Sequence, residues 1–338
     1  MTRHAFARYA AILAAGLLPM LMAPPASAKS APRSPLAPSG LRITPLAAAG
    51  ARFVRLNPHL RDFPGYTAGQ AVSTAVSPDG KTLLILTSGY NRLTDAGGKT
   101  IPSASNEYVF VFDIAKGAPR QVQALQIPNS YMGLAFAPDG RHFYVSGGMD
   151  DDVHVFAAAR GRWAEDSTAL VKLGHAAGKG LEVKPEAGGL AVSGDRLVVA
   201  DFYNDALSLV PLANGLPSGP PSDIRLQPGS GKTGGTYPFW VAVRGSTAYV
   251  SSLRDREIDV VDLNGGAVTA RIPVQGNPNR MLLNRAGTRL YVASDNADIV
   301  SVIDTASNRV LATVRTMAPP ALMAPGAYYH GAAPNSLA

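Results

Sequence analysis

The chain has 338 residues, a formal charge of +7, 46% hydrophobic residues and no cysteine. The missing cysteine excludes disulfides and a lipid-modified N-terminal cysteine. The positive excess is mild, and no Lys/Arg block or basic helix concentrates it, which argues against a dedicated nucleic-acid reader.

Residues 1–28 have the three parts of a secretory signal. Arg3 and Arg8 lie ahead of an apolar stretch over residues 9–23, and Ala26-Ser27-Ala28 forms a small-residue cleavage site. That stretch is shorter than the ~20 residues needed to span a bilayer and contains Pro19, so no membrane anchor is expected. Cleavage near Ala28 leaves a formal charge of +5 and a soluble exported protein, most simply a periplasmic one. Residues 29–40 form a Pro/Ser-rich linker, and residues 41–338 make up the remaining domain.

Within that domain a strand-turn-strand phrase returns five times. It reads Ser77-Pro78-Asp79-Gly80-Lys81, then Ala137-Pro138-Asp139-Gly140-Arg141, followed by three degenerate copies. These are Ser193-Gly194-Asp195-Arg196, Arg244-Gly245-Ser246-Thr247 and Asn284-Arg285-Ala286-Gly287-Thr288. Each copy joins two apolar runs, and strand-only repeats at this spacing indicate an all-β β-propeller of four-stranded blades. The blades are predicted over 72–127, 132–173, 190–226, 239–274 and 280–314, with residues 52–56 as a lone strand that completes a blade elsewhere. Gly80, Gly140 and Gly287 fall where φ must be positive, and Gly194 and Gly245 where a type II′ turn wants glycine. Gly287→Val is therefore expected to strain the backbone, whereas Gly98, in a long loop, is expected to tolerate alanine.

Asn277-Pro278-Asn279-Arg280 opens the fifth blade, and Ala333-Pro334-Asn335 matches it at the end of the chain. The expectation is five blades plus the start of a sixth, with a strand at 335–338, as in a truncated ring. Outward faces of blades one and five should then expose apolar side chains and invite self-association.

The segment Gly287-Thr288-Arg289-Leu290-Tyr291-Val292-Ala293, with Val300-Ser301-Val302-Ile303-Asp304-Thr305, resembles the repeat of YVTN/YncE-like β-propellers. The resemblance covers about residues 70–338. Thr87-Ser88-Gly89-Tyr90-Asn91-Arg92-Leu93, Tyr237-Pro238-Phe239-Trp240-Val241-Ala242 and Tyr249-Val250-Ser251-Ser252-Leu253-Arg254-Asp255-Arg256-Glu257 resemble a narrower group. In that group an exported propeller precedes an alkaline-phosphatase-like phosphoesterase domain. The resemblance implies seven blades and a longer protein, and it carries no phosphatase nucleophile or metal ligand onto this chain.

First-to-second-strand turns are all short, so the long connections gather on the opposite rim, where rigid scaffolds display function. Candidate ligand-binding residues on that rim are Tyr203, Asn204, Arg254, Asp255, Arg256, Asn279, Arg280 and His175. Arg254 and Arg256 would offer guanidinium forks to a carboxylate or phosphate, although 253–257 also reads as a self-neutralising solvated hairpin. Tyr203, Asn204, Asn279 and Arg280 are placed near the channel funnel; Phe239 and Trp240 are assigned to packing between blades. Asp150-Asp151-Asp152 reads as an exposed turn, lacking the alternating ligands of a calcium loop. His142 and His154 are expected to approach one another without acidic company, and no metal site is assigned to them. Gly229-Ser230-Gly231-Lys232-Thr233 lacks the leading glycine and following helix of a phosphate-binding loop.

No nucleophile-base constellation emerges, and neither a catalytic residue nor a cofactor is assigned. The function expected is an exported noncatalytic recognition or interaction scaffold, the front part of a longer protein, with an unknown protein or small ligand at the long-loop rim. The alternatives are the propeller portion of a periplasmic phosphoesterase and a binder of anionic polymer or nucleic acid.

Overall fold

The computed structural model describes residues 54–89, 91–228, 234–317 and 331–337. The signal sequence, the linker, residues 52 and 53 of the lone strand, the glycine-rich segment 229–233 and Ala338 lie outside the described residues. The compact unit begins at Arg55.

Five antiparallel sheets follow one another along the chain, each four strands deep. Blade one holds Ala71–Val76, Thr82–Thr87, Glu107–Asp113 and Arg120–Ile127. Blade two runs from Leu134–Phe136 to Val171–Lys172, and blade three from Ala187–Ser193 to Ser222–Arg225. Blade four runs from Pro238–Arg244 to Ala267–Pro273, and blade five from Pro278–Leu283 to Arg309–Arg315. In blades two and three the outer edge is split, so that two short strands share the third strand as partner. The turn chemistry is as predicted: Gly80, Gly140 and Gly287 have φ of 70°, 67° and 66°. Gly194 and Gly245, at 59° and 56°, are followed by residues of negative φ, as a type II′ turn requires.

Apolar residues on both faces of each central strand explain how the sheets assemble. Leu84, Leu86, Val109 and Val111 of blade one meet Leu134, Phe143 and Val145 of blade two. Equivalent clusters join blades two and three, three and four, and four and five. In blades one, three, four and five the first-strand register shifts near its start, bending the strand that borders the channel. Gly189 lets two of these strands touch, since a Cβ there would meet Phe239 O and Trp240 Cα, both at 2.9 Å.

Three expectations about the ends need correction. Residues 54–56 form no strand; Leu56, Leu60, Tyr66 and Ala68 instead cover the Tyr108, Phe110 and Phe112 face of blade one. That face is therefore sealed, because apolar residues of the entering segment were available to bury it. Blade five does present an open face, with Leu311 and Val314 at 55% and 50% exposure. At the other end, residues 335–337 make no ladder, since no second strand pairs with them.

Residues 331–337 nevertheless occupy the place where a next blade would begin. Asp298, at φ 53°, accepts hydrogen bonds from the Gly331 and Ala333 amides, both at 2.8 Å. Asp205, at φ 51°, accepts from Tyr237 N at 3.0 Å immediately before blade four. Tyr237 and Ala333, each preceding a proline, share left-handed φ of 56° and 41°. Asn279, in the segment whose sequence matches residues 333–335, donates from Nδ2 to Pro334 O at 3.5 Å.

Candidate functional site

The first strands of the blades surround a cavity of about 980 Å³. Its walls include Ser73 and Thr74 of blade one, Tyr131 and Met132 ahead of blade two, Glu186 ahead of blade three, Phe239 of blade four, and Asn279 and Arg280 of blade five. Arg92, Met149, Leu253 and Asp295, all from second-to-third-strand connections, also line it. The cavity therefore opens on the rim that carries the long loops. Its volume lies at the upper end of the usual range for small-ligand sites.

Arg280 does most to define one side. Its guanidinium lies 4.5 Å from the Trp240 ring centroid and donates to Val72 O and to Ser73 Oγ, the latter at 2.8 Å. A side chain of blade five thereby reaches blade one. A planar cation stacked on an aromatic face is the geometry a guanidinium favours. Asn279 is buried beside it and donates to Pro334 O.

Glu186 supplies the opposite charge. Among the described residues its carboxyl has no hydrogen-bond or ion-pair partner, and burial pushes it up to about 7. Tyr131, raised by the same desolvation and then by the Glu186 charge, stands near it. An aromatic cluster continues outward from Tyr131: Phe202 and Phe239 each lie 6.1 Å from its ring. Tyr237 then lies 5.0 Å from Phe202. A carboxyl poised near neutrality beside aromatic rings can accept a hydrogen bond or pair with a cation entering the cavity.

The remaining sequence-predicted residues divide into two places. Tyr203 and Arg254 meet on the Tyr237 ring, at 5.7 and 5.4 Å, on the rim beyond Phe202, so Tyr203 and Asn204 do not line the funnel as expected. Asn204 donates to Ala177 O at 3.0 Å and ties down the connection between blades two and three. The hairpin 253–257 is not self-neutralising. Asp255 accepts from Thr236 N at 2.8 Å, Glu257 pairs with Arg271 at 2.7 Å, and Arg256 is exposed. Its acids turn inward because the neighbouring segment offers unpaired amides and a cation.

His175 lies apart from the cavity, between Asp151 and Asp223, at Nδ1···Oδ1 2.8 Å and Nε2···Oδ2 3.2 Å. Hydrogen bonding to Asp151, then to Asp223, pushes its imidazole up to about 10. Asp151 and Asp152 are buried, correcting the exposed-turn reading. They are drawn inward by His175 and Lys172, the latter 2.6 Å from Asp152. His142 and His154 do not pair: in the strand register His142 faces Ala157 and His154 faces Val145. His154 instead holds acidic company, with Glu165 Oε1 at 2.6 Å and Asp152 Oδ1 at 3.5 Å. Phe239 and Trp240 part, Phe239 to the cavity and Trp240 to the packing between blades four and five.

Sequence reasoning missed Glu186, Tyr131, Arg92 and Asp295. They sit in connections whose course depends on ring closure, and the sequence signal available was Pro185-Glu186, one residue ahead of the Gly188-Gly189 pair.

A fold with these features is a β-propeller built from four-stranded blades. It is similar to a functionally unknown protein from Desulfotomaculum acetoxidans DSM 771, at 16% identity and a TM-score of 0.51, over 73% of each chain. It is also similar to a Lactobacillus plantarum protein, at 15% identity and a TM-score of 0.56, over 74% of this chain and 72% of the other. No family model and no curated protein matches the chain.

Proposed function

We propose that this chain is a noncatalytic recognition scaffold that binds a small organic ligand or peptide end carrying an amine in the mouth of its central channel. The observation that carries the reading is the Glu186 carboxyl, half-buried without a polar partner among the described residues, facing a cavity of about 980 Å³. An ammonium group there would find a carboxylate, with aromatic surfaces at Tyr131 and Phe239 beside it. Arg280 and Arg92 place positive charge elsewhere on the wall, which suits a ligand whose other end is a carboxylate. The YVTN/YncE-like resemblance and the three-part N-terminal signal support an exported, periplasmic setting. They also support membership in a longer protein with a separate phosphoesterase domain.

The test is calorimetric titration of amino acids, diamines and short peptides against the protein and its Glu186→Gln variant. Binding that needs the amine and weakens at least tenfold in the variant agrees with the reading. Equal binding by both proteins, or no binding across the panel, overturns it.

A further inference from the structure

We infer that His175, Asp201 and Asp223 form a binding site for a divalent transition-metal ion such as zinc, on the rim of blade three and separate from the channel. The three residues arrive from different elements: His175 from the connection entering blade three, Asp201 from the end of its second strand and Asp223 from its outermost strand. One donor atom from each falls within 4.8 Å of the others. The His175 Nε2 to Asp223 Oδ2 separation of 3.2 Å is close to the edge of a tetrahedron with metal bonds of about 2.0–2.2 Å, which is roughly 3.4 Å.

A second, independent observation points to a ligand. Asp201 is 1% exposed, and its Oδ1 has no hydrogen-bond partner among the described residues. A buried carboxylate oxygen left without a donor is costly, and a cation is what would satisfy it. The other oxygen, Oδ2, accepts from Ser208 Oγ at 2.9 Å, and the same hydroxyl lies 3.1 Å from Asp223 Oδ1. Ser208 therefore fixes the facing directions of both carboxylates.

The surroundings complete the argument. Asp151 Oδ1 holds His175 Nδ1 at 2.8 Å, and Asp151 Oδ2 accepts the His175 backbone amide at 2.6 Å. A carboxylate on the far ring nitrogen orients an imidazole, an arrangement common around metal-ligating histidines, and the ion would take the place of the proton that Nε2 shares with Asp223. One imidazole nitrogen with two carboxylates suits zinc or manganese better than calcium or magnesium, which favour all-oxygen sets. Asp201 is sealed inside while Asp223 is exposed, so the ion would enter from the Asp223 side and keep a position for water. The bound ion would pin the blade two to three connection onto blade three.

The experiment is calorimetric titration of zinc chloride into the chelator-treated full chain, with zinc-edge X-ray absorption on the product. The expected result is one ion per chain at a Kd of about 1 µM or tighter, with an absorption spectrum showing one imidazole among oxygen donors. His175→Ala and Asp223→Asn should weaken binding at least about a hundredfold, and Asp151→Asn by roughly 10–100-fold. His59→Ala, on the exposed entering segment, should leave it unchanged. Asp223→Asn lies at the solvent edge, so circular dichroism matching the parent keeps the result interpretable should a buried variant misfold. No binding up to about 100 µM zinc, or equal binding by folded Asp223→Asn and the parent, would overturn the assignment. Because no cavity-lining residue is altered, this outcome is independent of the amine titration.

Discussion

Glu186→Gln isolates the electrostatics of the channel mouth. In the folded protein burial raises the Glu186 carboxyl from 4.5 to about 7. At about 1.36 kcal/mol per pH unit this sets a ceiling of roughly 3 kcal/mol, and screening by water in the open cavity lowers it to about 1–2 kcal/mol. Because the folded value lies above the unfolded one, the contribution to stability is fully present below pH 4.5 and is lost as pH rises to about 7. The glutamine variant does not titrate. Its stability relative to the parent should therefore climb across that window and level off above about pH 8. For a domain of this size, about 1–2 kcal/mol corresponds to roughly 2–8 °C in Tm. Calorimetric melting of both proteins from pH 4.5 to 8.5 measures the difference, in which the titrations they share cancel. Parallel Tm curves across that range would refute a desolvated carboxyl at position 186. An amine ligand should shrink the gap at pH 8, because it favours the ionised parent.

Gly287→Val should cost roughly 1–2 kcal/mol from left-handed strain, and more where the new Cβ meets Arg244 Cδ at 3.0 Å; urea midpoints will show it. Gly98→Ala reverses the sequence expectation: the site is open, yet its φ of 81° makes alanine cost about 1 kcal/mol in the same assay, and an unchanged midpoint would contradict the turn geometry. Arg271→Met should destabilise by about 3 kcal/mol at pH 8 and above, where Asp259, fully buried and 2.5 Å from Arg271, is ionised and would lose its cation. Burial raises Asp259, so acidification neutralises it and should reduce that loss; equal losses at pH 5 and 8 would exclude this origin. Asp298→Ala should free the Gly331 and Ala333 amides to exchange with deuterium while leaving blade five protected, and persistent protection of both amides would mean other groups hold the segment.

The blades were legible because their signals are local. Proline, aspartate and glycine set the first turns, apolar runs set the strands, and every predicted blade begins and ends within a few residues of the observed one. Arg280 and Asn279 were legible as channel residues for a related reason: in a propeller the first strand of each blade borders the axis, so position in the repeat implies position in space. Glu186 had no such marker. It lines the cavity together with Tyr131 and Phe239, which belong to other blades.

The same distinction separates His175 from its ligand set. The sequence offers His175 in a glycine-rich connection and, farther along, Asp201 and Asp223 in strands where a carboxylate reads as an ordinary terminus or edge residue. What joins them is the register of blade three. Asp201 pairs with Ala206 and Ser208 with Asp223, so Ser208, two residues beyond Ala206, carries Asp223 to the side of the sheet that Asp201 faces. Asp151 enters through the adjacent blade, where its left-handed φ of 55° turns the carboxylate toward the incoming chain. Asp205 and Asp298 repeat that geometry in blades three and five and also accept backbone amides, Asp205 being held as well by Gln227 at 2.8 Å and Lys179 at 3.2 Å. In blade two the acceptor binds an amide and an imidazole together. A structural device of the repeat has there taken an imidazole as its side-chain partner, and the chemistry of the cluster begins from that choice.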